Sequence, residues 1–306
     1  MMAQPHPWVS IASDALIAEI DPLGAQLSSL KDRAALDLLW DGDPKVWAGR
    51  APLLFPIVGA LAGGTYRVGS ESFQLPRHGF ARGKLFSIEN TSSSAAKFRL
   101  SADSASLQVY PFHFELDVEY VISGTTLSVI TQISNQGDAD MPASFGYHPG
   151  FRWPLPFGQP RSAHFIDFEM DEPAPVRRID AAGLLTAQRH ATPVAGRRLS
   201  LTDSLFQSDV IIFDQIKSRS VIYGAAQGPL IKIGFADVRG AAAPGAAAPY
   251  LGIWTKPGAP FICIEPWHGV TDPEGYSGDL KDKPGIFVLS AGASLTAAMD
   301  ITLIES

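Results

Sequence analysis

A single cysteine, Cys263, occurs in 306 residues. An internal disulfide is therefore excluded, and so is a CxxC or Cys/His zinc motif. No apolar run approaches the ~18–20 residues of a membrane span. The opening MMAQPHPWVS lacks the basic flank and apolar core of a secretory signal. These absences lead to the expectation of a cytoplasmic protein with no membrane partner. Basic residues are outnumbered, 24 Lys and Arg against 31 Asp and Glu, for a net charge of −7. The only basic clusters are as short as Arg177–Arg178 and Arg197–Arg198, so no nucleic-acid partner is expected. GxSxG, GxxxxGK[ST] and GxGxxG are all missing. No histidine pair has HxH or HExxH spacing, so a metal would have to be assembled from distant segments, and none is expected. There is no long stretch of period 3.6 and no fixed repeat.

What the chain does have is apolar and β-like. The hydrophobic fraction is 46% and the charged fraction 18%, enough for a large core. Its 28 glycines and 24 prolines exceed the usual share of about 12%, which points to many turns. Strand-like runs recur at Ser10–Ile20, Ser87–Glu89, Ala96–Leu100, Glu115–Ile122, Thr126–Ile133, Val210–Phe213, Ser220–Tyr223, Leu230–Phe235, Phe261–Glu265, Gly285–Leu289 and Ser294–Leu303. Leu127, Val129 and, past Thr131, Ile133 share one face, as do Leu116, Val118 and Tyr120. Single turns are expected near Leu36–Leu39 and Asp43–Trp47. Arg152–Pro175, with Pro154, Pro156, Pro160, Pro173 and Pro175, reads as an irregular loop. So does the small-residue insert Arg239–Pro249. No composition shift demands a boundary, so residues 1–306 read as one all-β domain, a sandwich or barrel.

Four segments combine turn residues, aromatics and ionisable groups: Arg50–Leu61 (RAPLLFPIVGAL), Arg77–Arg82 (RHGFAR), Ser144–Trp153 (SFGYHPGFRW) and Cys263–Asp272 (CIEPWHGVTD). Glu265 ends an apolar run and is held by Pro266, which suits a general base; a strand-end salt bridge is the plainer alternative. His148 lies in a rigid Gly-Tyr-His-Pro-Gly turn among aromatics and suits acid–base work; a loop histidine bonded to backbone is its alternative. His78, between Arg77 and Arg82, is suited to bonding a polar substrate or pairing with a carboxylate. Arg50 at the edge of a core run, and Asp209 at a strand start, each have an ordinary structural reading. Cys263 sits in an apolar strand and reads as buried and inert.

In this order the segments resemble the aldose 1-epimerase (galactose mutarotase) family, most closely its LacX-like branch. RAPLLFPIVGAL with Tyr66, RHGFAR, FGYHPGF at Phe145–Phe151, SDVIIFD at Ser208–Asp214 and CIEPWHGVTD carry the resemblance, together with a first hairpin near Asp21–Leu30. It spans about Ser10 to Leu303. It implies a large antiparallel β-sandwich, a small sugar as partner, and no metal or cofactor. By the same resemblance Glu265 takes the proton of the anomeric hydroxyl and a protonated His148 protonates the ring oxygen. His78 assists near that oxygen, while Arg50, Asp209 and Trp267 bind the sugar. Where the family often has an acidic residue and then a tryptophan, this chain has Lys84 and Phe86. Lys84 with Arg77 and Arg82 would suit a sugar phosphate; alternatively Arg77 and Arg82 brace their loop through carboxylates. The candidate functions are an epimerase of free aldoses, a hexose-6-phosphate 1-epimerase and a non-catalytic carbohydrate-binding or sensing protein. A glycoside-processing enzyme would need a second carboxylate ~5–9.5 Å from Glu265, with Asp209 and Asp272 as the candidates. Oligomeric state is not written in the sequence.

Overall fold

The computed structural model describes residues 6–235, 239–240 and 250–305. Its strands pair antiparallel throughout, in two main sheets and three small ones. The larger sheet has ten strands. Along its path lie Arg198–Ser200, His164–Phe168, Ser220–Ala225, Leu230–Phe235, Ser294–Ile304, Thr126–Asn135, Phe114–Ser123, Ala95–Ser101 and Ser87–Thr91, with Arg239–Gly240 added beside Ser294–Ile304. The second sheet has six strands: Ile211–Phe213, Tyr250–Trp254, Phe261–His268, Phe145–Tyr147 and Leu53–Leu54 in order, with Gly150–Arg152 also paired to Phe261–His268. This is the expected antiparallel β-sandwich.

Alternation decides which face meets which. On the large sheet Leu116, Val118, Tyr120, Leu127, Val129 and Ile133 are buried, as their period of two requires. On the second sheet the alternation sorts side chains between two interiors. Leu53, Phe55, Ile211, Phe213, Ile262 and Ile264 join the main core, whereas Leu54, Ile212 and Trp267 form a separate cluster on the opposite face. The main core thus lies between the sheets, and the outer face of the smaller sheet is free to carry a site.

Thr131, the polar position in an apolar face, is completely buried. Its partner comes from the other sheet. The Tyr147 hydroxyl lies 2.9 Å from Thr131 Oγ1, with the carbonyls of Val129 and Ala297 at 3.2 and 3.1 Å. This bond crosses the sandwich one residue before His148.

Several expectations are corrected. Ser10–Ile20 is a hairpin of Val9–Ala12 and Leu16–Asp21. Ser13 Oγ accepts the amides of Ala15 and Leu16 at 3.3 and 3.1 Å, and this turn breaks the run. The stretch Arg152–Pro175 is not all loop, because His164–Phe168 pairs on both edges. Leu36–Leu39 makes isolated bridges through Asp37 and Leu39, while Asp43–Trp47 is the expected turn, closed by the Val46 and Trp47 amides on the Asp43 carbonyl. A six-residue helix at Ser104–Val109 has too little length for a visible period, but Asp103 and Ser106 cap it reciprocally. Of the Arg239–Pro249 insert, residues 241–249 lie outside the described residues. Among the described residues no helix is long and apolar enough to cross a membrane.

Tyr147→Phe should leave the buried Thr131 hydroxyl without its cross-sheet partner and lower the unfolding free energy by about 1–3 kcal/mol. Urea denaturation of the two proteins checks this; equal midpoints and slopes would refute the cross-sheet bond.

Candidate active site

The strand Phe261–His268 is buried along its whole length. Ile262 and Ile264 face the main core, so Phe261, Cys263, Glu265 and Trp267 face the other way. On that side Glu265 and Trp267 meet a cavity of about 200 Å³ whose lining also includes His148, His78, Arg77, Arg82, Asp209, Trp47 and Trp254. The ladder explains the glycines nearby. Gly146 is paired with Trp267 and Gly252 with Glu265. A Cβ on Gly146 would stand 2.6 Å from Trp267 Cδ1, and one on Gly252 2.6 Å from Trp267 Cζ2. The indole therefore lies flat across both neighbouring strands, and among the described residues its Nε1 makes no well-aligned hydrogen bond.

His148 follows the strand Phe145–Tyr147 and is anchored by its neighbours. The Pro149 carbonyl accepts the Ile264 amide at 3.2 Å, and the Gly150 amide donates to the Arg50 carbonyl at 2.7 Å. The ring stacks on Trp47 with centroids 5.1 Å apart and meets Trp254 and His78 edge-on at 5.8 and 5.7 Å. Its Nε2 stands 3.1 Å from Glu265 Oε2. Glu265 is 1% exposed and His148 8%.

Such burial acts on both partners in the direction of neutrality. It pushes the Glu265 carboxyl well above its usual range; the Asp209 carboxylate adds to this, while the Trp267 indole and the Arg77 guanidinium oppose it. Burial also takes His148 down to about 3, and the Arg82 and Arg77 charges push the same way. Burial thus favours the neutral forms, a protonated carboxyl beside an unprotonated imidazole, over the ion pair. This direction runs against the protonated His148 that the resemblance implies, since a histidine's ordinary titration range takes no account of burial.

His78 is held differently. Its backbone is left-handed (φ 68°), an arrangement that costs a non-glycine residue about 1–2 kcal/mol. Its amide donates to the Gly59 carbonyl at 2.8 Å, and the Gly59 amide donates to its Nδ1 at 3.1 Å. With Nδ1 accepting, the neutral ring carries its hydrogen on Nε2. Burial, then His148, Arg82 and Arg77, hold its pKa well below the usual value. The Gly59 turn is fixed in its turn by Thr271, whose Oγ1 accepts the Ala60 amide at 2.9 Å and bonds the Gly183 carbonyl at 2.5 Å.

The other expected residues divide. Asp209 lines the cavity, also with a left-handed backbone (φ 60°). Arg50 is not among the lining residues: its Nε donates to the Asp41 carbonyl at 2.7 Å and its guanidinium covers the Trp8 ring at 4.9 Å. Its backbone amide is tied to Gln26 Oε1, and its carbonyl to Gly150, which fixes this orientation. Lys84 pairs with Asp103 at 3.1 Å, so it does not join Arg77 and Arg82. Those two arginines line the cavity. Among the described residues neither guanidinium forms an ion pair with a carboxylate; Arg82 braces the loop through the backbone instead, its Nη2 donating to the Arg77 carbonyl at 2.8 Å. Asp272 instead accepts the Ala62 amide at 2.8 Å and lies 3.5 Å from the buried Lys283. Sequence reasoning missed Trp47 and Trp254. For Trp254 a signal existed, since Tyr250, Gly252 and Trp254 alternate on one face. The fold also brings one donor atom each of His148, Cys263 and Glu265 within 4.8 Å of one another, although motif spacing had excluded a Cys/His metal site.

The proton count makes a prediction about stability. The unfolded chain titrates these groups at their ordinary values of 4.5 and 6.5, whereas burial holds the folded carboxyl above and the folded imidazole below them. Above pH 4.5 the unfolded carboxyl ionises while the folded one keeps its proton longer, so the Glu265 contribution to stability falls with rising pH until the folded carboxyl ionises. Glu265→Gln removes the carboxyl contribution. Its stability relative to the parent should rise by about 1.4 kcal/mol per pH unit from pH 4.5 until the folded carboxyl ionises. Denaturant midpoints at pH 5, 7 and 8 read this; a constant difference would show that Glu265 keeps an ordinary pKa.

Comparison with known proteins is consistent with this geometry. Residues 8–275 match the family model described as Aldose 1-epimerase. The chain is 30% identical over 307 residues to Protein LacX (chromosomal) of Lactococcus lactis subsp. lactis, covering 97% of this chain and 99% of that one. Among solved structures, a galactose mutarotase-like protein from Lactobacillus casei is 28% identical with a TM-score of 0.87, covering 97% of this chain and 99% of that one. A galactose mutarotase related enzyme from Lactobacillus acidophilus is 27% identical with a TM-score of 0.85, covering 97% of each chain.

Proposed function

The chain belongs to the aldose 1-epimerase family, and from that premise we propose that it interconverts the α and β anomers of a free aldose. The observation that carries this reading is the 3.1 Å approach of His148 Nε2 to Glu265 Oε2 in the cavity wall. Opening a hemiacetal removes a proton from the anomeric hydroxyl and adds one to the ring oxygen. A pair that holds one proton has one site to give and one to take. As the sugar enters, the proton passes from the Glu265 carboxyl to His148. The carboxylate then takes the anomeric hydroxyl's proton while His148 protonates the ring oxygen. The open-chain aldehyde rotates about its first carbon–carbon bond, and the two groups exchange roles as it closes on the other face. His78, with Nε2–H available, acts as a fixed hydrogen-bond donor near the ring oxygen. Trp267 offers an apolar face with a free N–H, and Asp209 accepts from hydroxyls.

A second reading has its own observation. Arg77 and Arg82 line the cavity and, among the described residues, have no carboxylate partner, which favours a sugar bearing an anion, such as a hexose 6-phosphate.

Proton exchange NMR between anomers tests both. Galactose, glucose, arabinose, xylose and glucose 6-phosphate form the panel. We expect faster exchange for at least one, falling by about 10²–10⁴ in Glu265→Gln. Acceleration restricted to the phosphate, lost in Arg77→Ala, selects the second reading. Sugars that bind without faster exchange would replace catalysis with a binding or sensing role.

A further inference from the structure

We propose that His148, Cys263 and Glu265 form an inhibitory site for a thiophilic divalent cation, with Zn²⁺ as the best match. Cys263 and Glu265 are two apart on one strand, so both project from its cavity-side face. His148 arrives from the adjacent chain segment, two residues before Gly150, the ladder partner of Cys263. One donor atom from each of the three residues falls within 4.8 Å of the others. All three are at least nine-tenths buried, and the thiol is free.

The second observation is a deficit of partners. Among the described residues, His148 Nδ1 and Glu265 Oε2 are both buried without a hydrogen bond. The 3.1 Å approach of Nε2 to Oε2 brings the groups close without an aligned bond. Buried polar atoms left in this state are costly, and a cation would satisfy them. Sulfur, imidazole nitrogen and carboxylate oxygen are the ligand types of zinc, whereas Mg²⁺ and Ca²⁺ prefer oxygen alone. A thiolate and a carboxylate cancel the ion's two charges, which suits a buried position. The entry path is the cavity itself, which Glu265 and His148 line, and its open side leaves a fourth position for water.

The inhibitory part of this inference rests on the proposed acid–base role of Glu265 and His148, whose lone pairs the ion would occupy. The binding part does not. Cys263 is outside the lining of the sugar cavity and takes no part in the proposed proton transfers, so its replacement should spare mutarotation.

The experiment titrates the protein with Zn²⁺ by calorimetry and with Co²⁺ by absorption, using wild type, Cys263→Ala and Cys263→Ser, each checked for folding by circular dichroism. We expect one equivalent bound and a near-ultraviolet thiolate-to-cobalt charge-transfer band in wild type. Both variants should lose the band and weaken binding by more than about 100-fold, beyond the loss of an outer-shell contact. Zn²⁺ should stop anomer exchange in wild type, a chelator should restore it, and both variants should resist. Absence of the band, or equal Zn²⁺ inhibition of wild type and variants, would overturn the site. If no sugar on the panel is turned over, the cobalt band still reports on the site, so the two failures are distinguishable.

Discussion

The structure is organised around a carboxyl group placed where a carboxylate is least welcome. Glu265 lies in a strand buried on both faces. Nothing in the β-sandwich requires an acid there, and an apolar residue would be better solvated by its surroundings. Once it is present, the neighbourhood follows. His148 must stand close enough to share a proton. Trp47 and Trp254 must shield that histidine, and Gly252 and Gly146 must leave space for the Trp267 indole. Each of these residues is intelligible as a response to one desolvated proton-binding group.

The sandwich supplies the means. A strand directs alternate side chains to opposite faces, so Phe261–His268 does two jobs without a change of backbone. Ile262 and Ile264 tie it to the large sheet, while Glu265 and Trp267 face the cavity. The strand Phe145–Tyr147 repeats the device: Phe145 and Tyr147 reach the main core, and His148 at its end lines the cavity. The bond from Tyr147 to Thr131 therefore connects the rigidity of the core to the position of the histidine. Loops contribute the residues with more freedom, and these bear backbone strain. His78 and Asp209 are both left-handed non-glycine residues at the cavity, and strain of this kind persists only where surrounding contacts impose it.

Much of this is legible in the amino-acid sequence. The long strands declare themselves because Leu116, Val118, Tyr120, Leu127 and Val129 alternate over enough residues for a period to emerge. Short strands such as Leu53–Leu54, Phe145–Tyr147 and Gly150–Arg152 do not, since two or three residues carry no period, and these form much of the sheet that carries the cavity. Glu265, His148, His78, Trp267 and Asp209 each stand out in the sequence and do share one cavity. Arg50 stands out and does not share it, because its direction is set by the bonds of its own backbone to the Gln26 side chain and the Gly150 amide, which no local pattern displays. Trp47 is silent for a related reason: its value lies in stacking on a histidine about a hundred residues away. The protonation of the pair is illegible in principle, since it depends on the distance between two groups and on what has been removed from around them.

That protonation bears on the reversibility the proposed reaction demands. Mutarotation begins and ends with a ring-closed sugar, so the protein must return to its starting state without exchange with water. Closure on the second face runs the two transfers backwards and leaves a carboxylate and an imidazolium. At 3.1 Å the imidazolium can return its proton to the carboxylate directly as the sugar leaves, whereas groups far apart could pass it only through water. Arg77 and Arg82 then have a consistent place. Their charges depress His148, that of Arg77 also opposes protonation of Glu265, and both side chains line the cavity, where an anionic substrate would meet them. An anion bound there would lessen their depression of His148, so that substrate charge and acid strength are coupled through the same two guanidinium groups.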